Sequence, residues 1–162
     1  MRRWLLDTNV VSELRKPKCD LAVKAWADAR SPETLYLSRV TIAEIRFGIE
    51  RVTNAVFRAE LLAWLDETLR PWFAERILDI DEDVLVTWRR MVERGRVANY
   101  TFSQPDLFIA ATAAVHGLCV VTRNTDDFVR AEVPVFNPWT GGLIGSPGGS
   151  ESADEAMRKS TS

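Results

Sequence analysis

The chain has 162 residues, 46% of them hydrophobic, and its formal net charge is −2. This length and apolar content predict one globular domain with a sizeable core, and the slight acidic excess excludes a surface that is basic throughout, so any nucleic-acid binding has to be local. The two cysteines, Cys19 and Cys119, lie far apart in sequence, which favours a reducing cytoplasm over a zinc site or a disulfide framework.

Strand-like and helix-like segments alternate along the chain, which is typical of an α/β protein with a mostly parallel sheet. The apolar residues before Asp7 predict a first buried strand that ends on a carboxylate. The elements expected in the first third are a strand at Arg3–Leu6, a helix at Leu21–Ala29, a strand at Thr34–Ser38 and a helix through Thr41–Val52.

A long helix is predicted from Val56 to Leu69, where four leucines share one face, and we expect it to stop before Pro71. A later helix begins near Pro105 and ends at Gly117, with proline and glycine at the termini that favour them. The other predicted elements are a strand at Arg76–Ile80, a helix capped by Asp81, and strands at Leu118–Thr122 and Val133–Asn137.

Composition changes after residue 141, where Gly, Ser, Pro and charged residues become frequent. We therefore expect residues 1–141 to form the folded domain and residues 142–162 to form a disordered tail. The longest apolar region, Leu107–Val121, is interrupted by Thr112, His116 and Gly117 and falls short of a membrane span. The apolar run after the basic start is too short for an export signal, so a soluble cytoplasmic protein without a membrane partner is expected.

Several enzyme classes are disfavoured because the sequence lacks the residues or motifs that their chemistry requires. The single histidine, His116, lies beside a helix-ending glycine, which favours a structural role and leaves no partner for a serine or cysteine nucleophile. No GxSxG, Walker-type or GxGxxG motif occurs. The remaining candidates are acidic and amide side chains at the ends of predicted elements: Asp7, Glu44, Asp106, Asn124, Asp126 and Asp127.

These acidic positions predict a site at the carboxyl edge of the sheet, where parallel α/β proteins bind their ligands. Carboxylates held close together repel one another and raise one another's pKa unless a cation compensates them. A hard divalent ion that prefers oxygen ligands, Mg²⁺ or Mn²⁺, is the natural compensator.

Each position also has a purely structural interpretation. Asp7 can form a turn with Asn9, and Glu44 stands at capping-box spacing from Thr41, which leaves its role evenly balanced. Asp106 is favoured by the helix dipole in a first turn. Asn124 and Asp127 can cap a short helix. The metal interpretation gains weight because four such positions recur at matching ends of one predicted sheet.

These segments resemble the motifs of PIN-domain nucleases, and more closely those of the VapC and FitB toxins of type II toxin–antitoxin systems. The resemblance covers Met1 to Trp139 and implies a three-layer α/β/α fold with a mostly parallel sheet of four to five strands. The matching stretches are LLDTNVVSEL, YLSRVTIAEIRFGIE, PDLFIAATAAVHGLCVVTRNTDDF and VFNPW.

The resemblance implies that Asp7, Glu44 and Asp106 form an acidic site for Mg²⁺ or Mn²⁺. Its fourth acidic position is open between Asn124 and Asp127. The resemblance also implies that Asn9 and Thr122 are polar residues that orient the ligands. If the site cleaves RNA, the candidate RNA contacts are Arg46, Arg94, Arg96 and Arg123, and the candidate rings for stacking on bases are Tyr100 and Phe102.

The function implied is a toxin that hydrolyses RNA phosphodiester bonds with a metal-activated water, silenced by a VapB- or FitA-like antitoxin. A homodimer or higher oligomer is also expected, with Trp26 and Trp64 as candidate interface residues, and the alternative is that the six tryptophans fill the core. One alternative is a catalytically inactive PIN-like domain that acts by binding a partner or nucleic acid, favoured by the neutral Asn124. A phosphatase using Asp7 as nucleophile ranks last, because Asn9 stands where such enzymes carry a second aspartate.

Overall fold

The structure, a computed structural model, describes residues 1–145 together with the backbone of 150 and 151. Its strands are β1 (Trp4–Leu6), β2 (Leu35–Ser38), β3 (Ile77–Leu78), β4 (Cys119–Val121), β5 (Val135–Asn137), β6 (Gly142–Ile144) and β7 (Ser150–Glu151). Its α-helices are α1 (Thr8–Arg15), α2 (Leu21–Asp28), α3 (Arg39–Glu50), α4 (Ala55–Ala63), α5 (Arg70–Phe73), α6 (Glu82–Val97), α7 (Gln104–His116) and α8 (Asp126–Arg130).

The strands form one sheet in the order β3-β2-β1-β4-β5-β6-β7. The first five in sequence pair in parallel, whereas β6 and β7 add antiparallel pairs at one edge. The predicted α/β class with a mostly parallel sheet is therefore confirmed, but the described residues form a sheet of seven strands rather than four to five, because β6 and β7 extend one edge. The predicted tail begins at residue 142, but β6 already pairs with β5 there; residues 146–149 and 152–162 lie outside the described residues.

The sheet separates two apolar layers, because successive residues of β1 point to opposite faces. Trp4 and Leu6 join a cluster with α1 to α5, whereas Leu5 joins a second cluster with α6, α7 and α8. Trp26 lies inside the first cluster, with its ring 5.3 Å from that of Trp4 and only 7% of its surface exposed. The expectation that Trp26 contributes to a dimer interface is therefore wrong, and the partly buried Trp64 also packs against this core.

The predicted long helix continues through Pro71, contrary to expectation. A π-helical segment, Trp64–Leu69, joins α4 to α5, and the Arg70 N–H bonds the Leu65 carbonyl five residues back. Because the wider turn changes the hydrogen-bond register just before it, Pro71 can stand at the start of α5, where an N–H is dispensable. No helix in the described part of the chain is long and apolar enough to cross a membrane.

Gly117 ends α7 in the left-handed conformation, with φ of 65°, and the preceding His116 carbonyl accepts a hydrogen bond from the Arg3 side chain. We expect Gly117→Ala to lower the free energy of unfolding by about 1 kcal/mol, because an L side chain is strained at this φ. The nearest atom to the added Cβ is 3.9 Å away, so no clash contributes.

Gly48→Ala is the matched control, because Gly48 is helical within α3 and its added Cβ meets nothing within 4 Å. It should raise stability by about 0.5–1 kcal/mol through helix propensity. Urea unfolding measures the change in the free energy of unfolding for each variant. A decrease in both variants would contradict the conformational explanation.

Candidate functional site

Asp7 lies where β1 passes directly into α1, and its side chain is 5% exposed. It is the N-cap of α1, and its Oδ1 accepts a hydrogen bond from the Thr8 N–H at 2.8 Å. Burial raises the pKa of Asp7 above 3.8, although the hydrogen bonds from Thr122 and Thr8 lower it in part. The strand therefore delivers a poorly solvated carboxylate to the carboxyl edge of the sheet.

The Thr122 hydroxyl fixes the other oxygen of this carboxylate. Thr122 follows β4, the neighbour of β1, and its Oγ1 donates to Asp7 Oδ2 at 2.8 Å. The same hydroxyl accepts from Asn9 Nδ2 at 3.0 Å and from the Asn124 N–H at 3.1 Å. Since a hydroxyl has one hydrogen and two acceptor positions, these three bonds use its full capacity. The structure thus brings Asp7, Asn9 and Thr122 together in one network.

Glu44 reaches the site from α3, the helix after β2. The N-cap of α3 is Ser38, whose Oγ accepts from the Val40 N–H at 3.1 Å, so Glu44 lies inside the helix and its capping interpretation is wrong. Its half-buried carboxylate accepts a hydrogen bond from the Thr8 hydroxyl at 3.4 Å. Burial, and then the negative charge of Asp7, raise the pKa of Glu44.

Asp106 lies in the first turn of α7, as the sequence predicts, and is half-buried. Burial, followed by the negative charges of Asp7, Asp127 and Glu44 and a hydrogen bond with Asp127, raises its pKa from 3.8 to about 7. The favourable helix dipole is the structural interpretation of an acid in this position, but it does not account for a raised pKa, because a dipole at a helix N-terminus lowers the pKa of an acid. The charge of each of the other three acids therefore raises the pKa of Asp106.

Of the three candidates for the fourth acidic position, Asp127 is the one whose charge and hydrogen bond raise the pKa of Asp106. Asp126 and Asn124 are exposed, and Asn124 enters the network through its backbone N–H. No side chain caps α8, whose N-cap is Thr125, so the capping interpretation of Asn124 and Asp127 is wrong.

Tyr100 makes a contact that sequence reasoning missed. Its hydroxyl donates to Asp127 Oδ1, and the Ser103 N–H donates to Asp127 Oδ2 at 3.0 Å. The bond to Asp127 raises the pKa of Tyr100. Tyr100 and Asp127 are 27 positions apart, so no local sequence pattern predicts their contact. It forms because the loop before α7 packs against α8. Phe102 is 8% exposed, so the expectation that it stacks on bases is wrong.

The donor set suits a hard divalent cation, because all four side chains offer oxygen and three of them have raised pKa values without a metal. None of the ion pairs found among the described residues neutralises these acids. In the same part of the chain, no three acidic, histidine or cysteine side chains are close enough to form a ready-made ligand cluster. The acids are thus electrostatically coupled but not drawn into coordination geometry.

The four arginines proposed as RNA contacts have different surroundings. Arg46 is exposed on α3, two residues beyond Glu44, with its Nε 3.9 Å from Glu50. Arg123 directly follows Thr122, and its guanidinium lies 5.1 Å from the centre of the Trp139 ring. The other two lie on α6 and pair with acids: Arg94 with Glu132 and Arg96 with Glu93.

Comparison with known proteins shows what the whole chain is similar to. The PIN domain family model matches residues 4–134. The chain is 40% identical to toxin FitB of Neisseria gonorrhoeae, over 83% of this chain and 97% of FitB. It is 39% identical to VapC ribonuclease Y4jK of Sinorhizobium fredii, over 83% of this chain and 96% of that protein. The crystal structure of FitAcB from Neisseria gonorrhoeae superposes with a TM-score of 0.80, at 40% identity, over 84% of this chain and 98% of that chain.

Proposed function

This chain belongs to the PIN-domain family, and we propose that it is the toxin of a toxin–antitoxin pair, a divalent-metal-dependent endoribonuclease. Relatives that match over most of both chains are named as a toxin and as a ribonuclease. The observation that carries the proposal is the grouping of Asp106 with Asp7, Asp127 and Glu44: burial, and then the charges of these three acids, raise the pKa of Asp106 to about 7. Repulsion among these acids lowers the stability of the metal-free protein. We infer that the site keeps it because a cation and a phosphate substrate bind there.

The residues of the site have separable tasks in this reaction. Thr8 and Thr122 hold the two oxygens of Asp7 in one orientation, so that little reorganisation remains when a ligand arrives. With a pKa of about 7, the Asp106 carboxyl group is protonated in about half of the molecules at neutral pH, and that proton would have to leave before both oxygens could hold a cation. A bound Mg²⁺ or Mn²⁺ supplies positive charge that stabilises the phosphate oxygens during hydrolysis and makes water more acidic.

We propose Arg46 and Arg123 as the RNA phosphate contacts, because both are exposed and adjoin site residues in sequence. Arg94 and Arg96 are weaker candidates, since their acidic partners lie closer, at 3.5 Å and 2.5 Å, than Glu50 lies to Arg46, at 3.9 Å. A VapB- or FitA-like antitoxin is the proposed partner that blocks the acidic site. A homodimer is proposed through the exposed apolar side chains of α3 and α4, where Phe47 and Val56 are 61% and 71% exposed.

Metal removal tests the catalytic proposal directly. Purified protein incubated with structured RNA and Mg²⁺ should cleave the RNA internally. A cation is needed because negatively charged phosphate does not otherwise bind beside the acidic side chains. EDTA should abolish cleavage and excess Mg²⁺ should restore it, as measured by mapping RNA ends. The same preparation with Ca²⁺ alone controls for non-specific charge neutralisation. Cleavage that persists in EDTA would contradict metal dependence.

A binding-only domain is the second candidate, favoured by the neutral Asn124 and by acidic groups that are not gathered into a ligand cluster. It predicts RNA or partner binding without cleavage. Isothermal titration with Mn²⁺ separates the two functions: no heat of binding at millimolar Mn²⁺ supports the binding-only domain, and saturable binding supports the nuclease.

A further inference from the structure

The loop between α6 and α7 contacts Asp127, an acidic residue of the candidate site that lies in α8. Tyr100 donates from its hydroxyl to Asp127 Oδ1, and the Ser103 backbone N–H donates to Asp127 Oδ2. Tyr100 and Ser103 thus place a donor on each oxygen of Asp127, and Asp106 forms a further hydrogen bond with this carboxylate. A carboxylate held at both oxygens cannot rotate freely about its last side-chain bond.

Tyr100 is itself held on several sides. The Arg130 guanidinium lies 4.1 Å from the centre of its ring, and the Phe102 ring packs edge-on with centroids 4.8 Å apart. Arg130 and Asp127 belong to the same short helix, α8, so this helix contacts both the ring and the hydroxyl of Tyr100. The phenol therefore has a defined position from which to orient Asp127.

The loop reaches this position because α6 has a glycine at the point of contact. The Tyr100 N–H donates to the Gly95 carbonyl at 2.8 Å. A Cβ at Gly95 would lie 2.7 Å from a Phe102 ring carbon and 2.9 Å from the Tyr100 carbonyl oxygen, distances that force the loop to move. Gly95 thus sets how closely the loop packs and, through Tyr100, where the Asp127 carboxylate lies.

We propose that Tyr100 is a positioning residue that orients the Asp127 carboxylate for the divalent cation, with Gly95 setting the position of Tyr100. This role rests on the proposed function, because it concerns the metal ligands of the nuclease. Hydrogen-bond partners of ligating carboxylates contribute to metal affinity, and their loss typically weakens it 10- to 100-fold.

Isothermal titration of the full-length protein with Mn²⁺ tests this role without using cleavage as the readout. Tyr100→Phe keeps the ring contacts with Arg130 and Phe102 and removes only the hydroxyl, so we expect its dissociation constant for Mn²⁺ to rise by about tenfold. Gly95→Ala retains the hydroxyl but displaces the loop, and it should weaken Mn²⁺ binding in the same direction.

Tyr36→Phe is the matched control, since Tyr36 lies in β2 and its ring is 5.8 Å from the guanidinium of Arg3, which precedes β1, whereas Asp7 follows the other end of that strand. It should leave the dissociation constant unchanged. A Tyr100→Phe constant within twofold of the unaltered protein would overturn the positioning role while leaving the nuclease proposal intact. Failure of the unaltered protein to bind Mn²⁺ would instead overturn the proposed function and this role together.

Discussion

Asp106→Asn should abolish RNA cleavage and, in the absence of metal, make the protein more stable at pH 8. Cleavage should fall by at least about 100-fold, since losing a proposed metal ligand should exceed the effect of losing a hydrogen-bond partner of a ligand. Stability should rise because the folded protein no longer has to hold a carboxylate that burial, Asp7, Asp127 and Glu44 disfavour. Activity and stability thus move in opposite directions in one variant.

The size and pH dependence of this gain follow from the pKa of Asp106. A pKa of about 7 in place of 3.8 corresponds to at most about 4 kcal/mol. Because the side chain is half-buried, solvent screening reduces the expected gain to about 1–2 kcal/mol. Between these pKa values the folded state binds more protons than the unfolded state, so the stability of the unaltered protein falls as pH rises. The gain from Asp106→Asn should therefore be small at pH 4 and complete by pH 8.

Thermal unfolding in EDTA at several pH values measures this gain. Asp83→Asn is the control, because Asp83 also lies in the first turn of a helix, α6, but is exposed. It should lose a few tenths of a kcal/mol of dipole stabilisation and leave cleavage unchanged. If Asp106→Asn and Asp83→Asn shift the melting temperature alike at pH 8, the electrostatic coupling described for Asp106 does not exist.

The strands and the first three acids were predictable because their signals are local or follow from sheet geometry. β1, β2, β4 and β5 are apolar runs bounded by polar residues, and parallel strands bring their carboxyl ends to one edge. Asp7 therefore had to lie near whatever followed the neighbouring strand, which is Thr122. The Gly117 end of α7 was predictable from glycine's preference for the left-handed conformation.

Other features depend on contacts that no short stretch of sequence encodes. β6 has only one buried side chain, Leu143, and exists by pairing with β5, so its residues read as the start of a tail. The π-helical segment lets the helix continue through Pro71, so the helix end that a proline normally indicates does not occur there. Asp127 could be distinguished from Asn124 only after Tyr100 and Ser103 were seen to hold it.

Thr122→Val should destabilise the protein by about 2–3 kcal/mol and reduce cleavage by about 10- to 100-fold. The side chain is fully buried, so valine fills the space but removes the donor to Asp7 Oδ2 and the acceptor for Asn9 and for the Asn124 N–H. A hydrogen bond to a charged partner contributes more than a neutral one, and Asp7 is too buried for water to replace it fully. The pKa of Asp7 should also rise further, because the Thr122 bond lowers it.

Thr112→Val provides the comparison that isolates the network from the loss of a buried hydroxyl. Thr112 is equally buried, but its hydroxyl donates only to the Phe108 carbonyl of its own helix, at 2.8 Å. Its replacement should cost about 1 kcal/mol and leave cleavage unaffected. Urea unfolding and initial cleavage rates of both variants give the difference, and equal losses from the two substitutions would mean that Thr122 contributes no more than an ordinary buried threonine. A larger loss confined to Thr122→Val would show that the orientation of Asp7 depends on a hydroxyl delivered by the neighbouring strand.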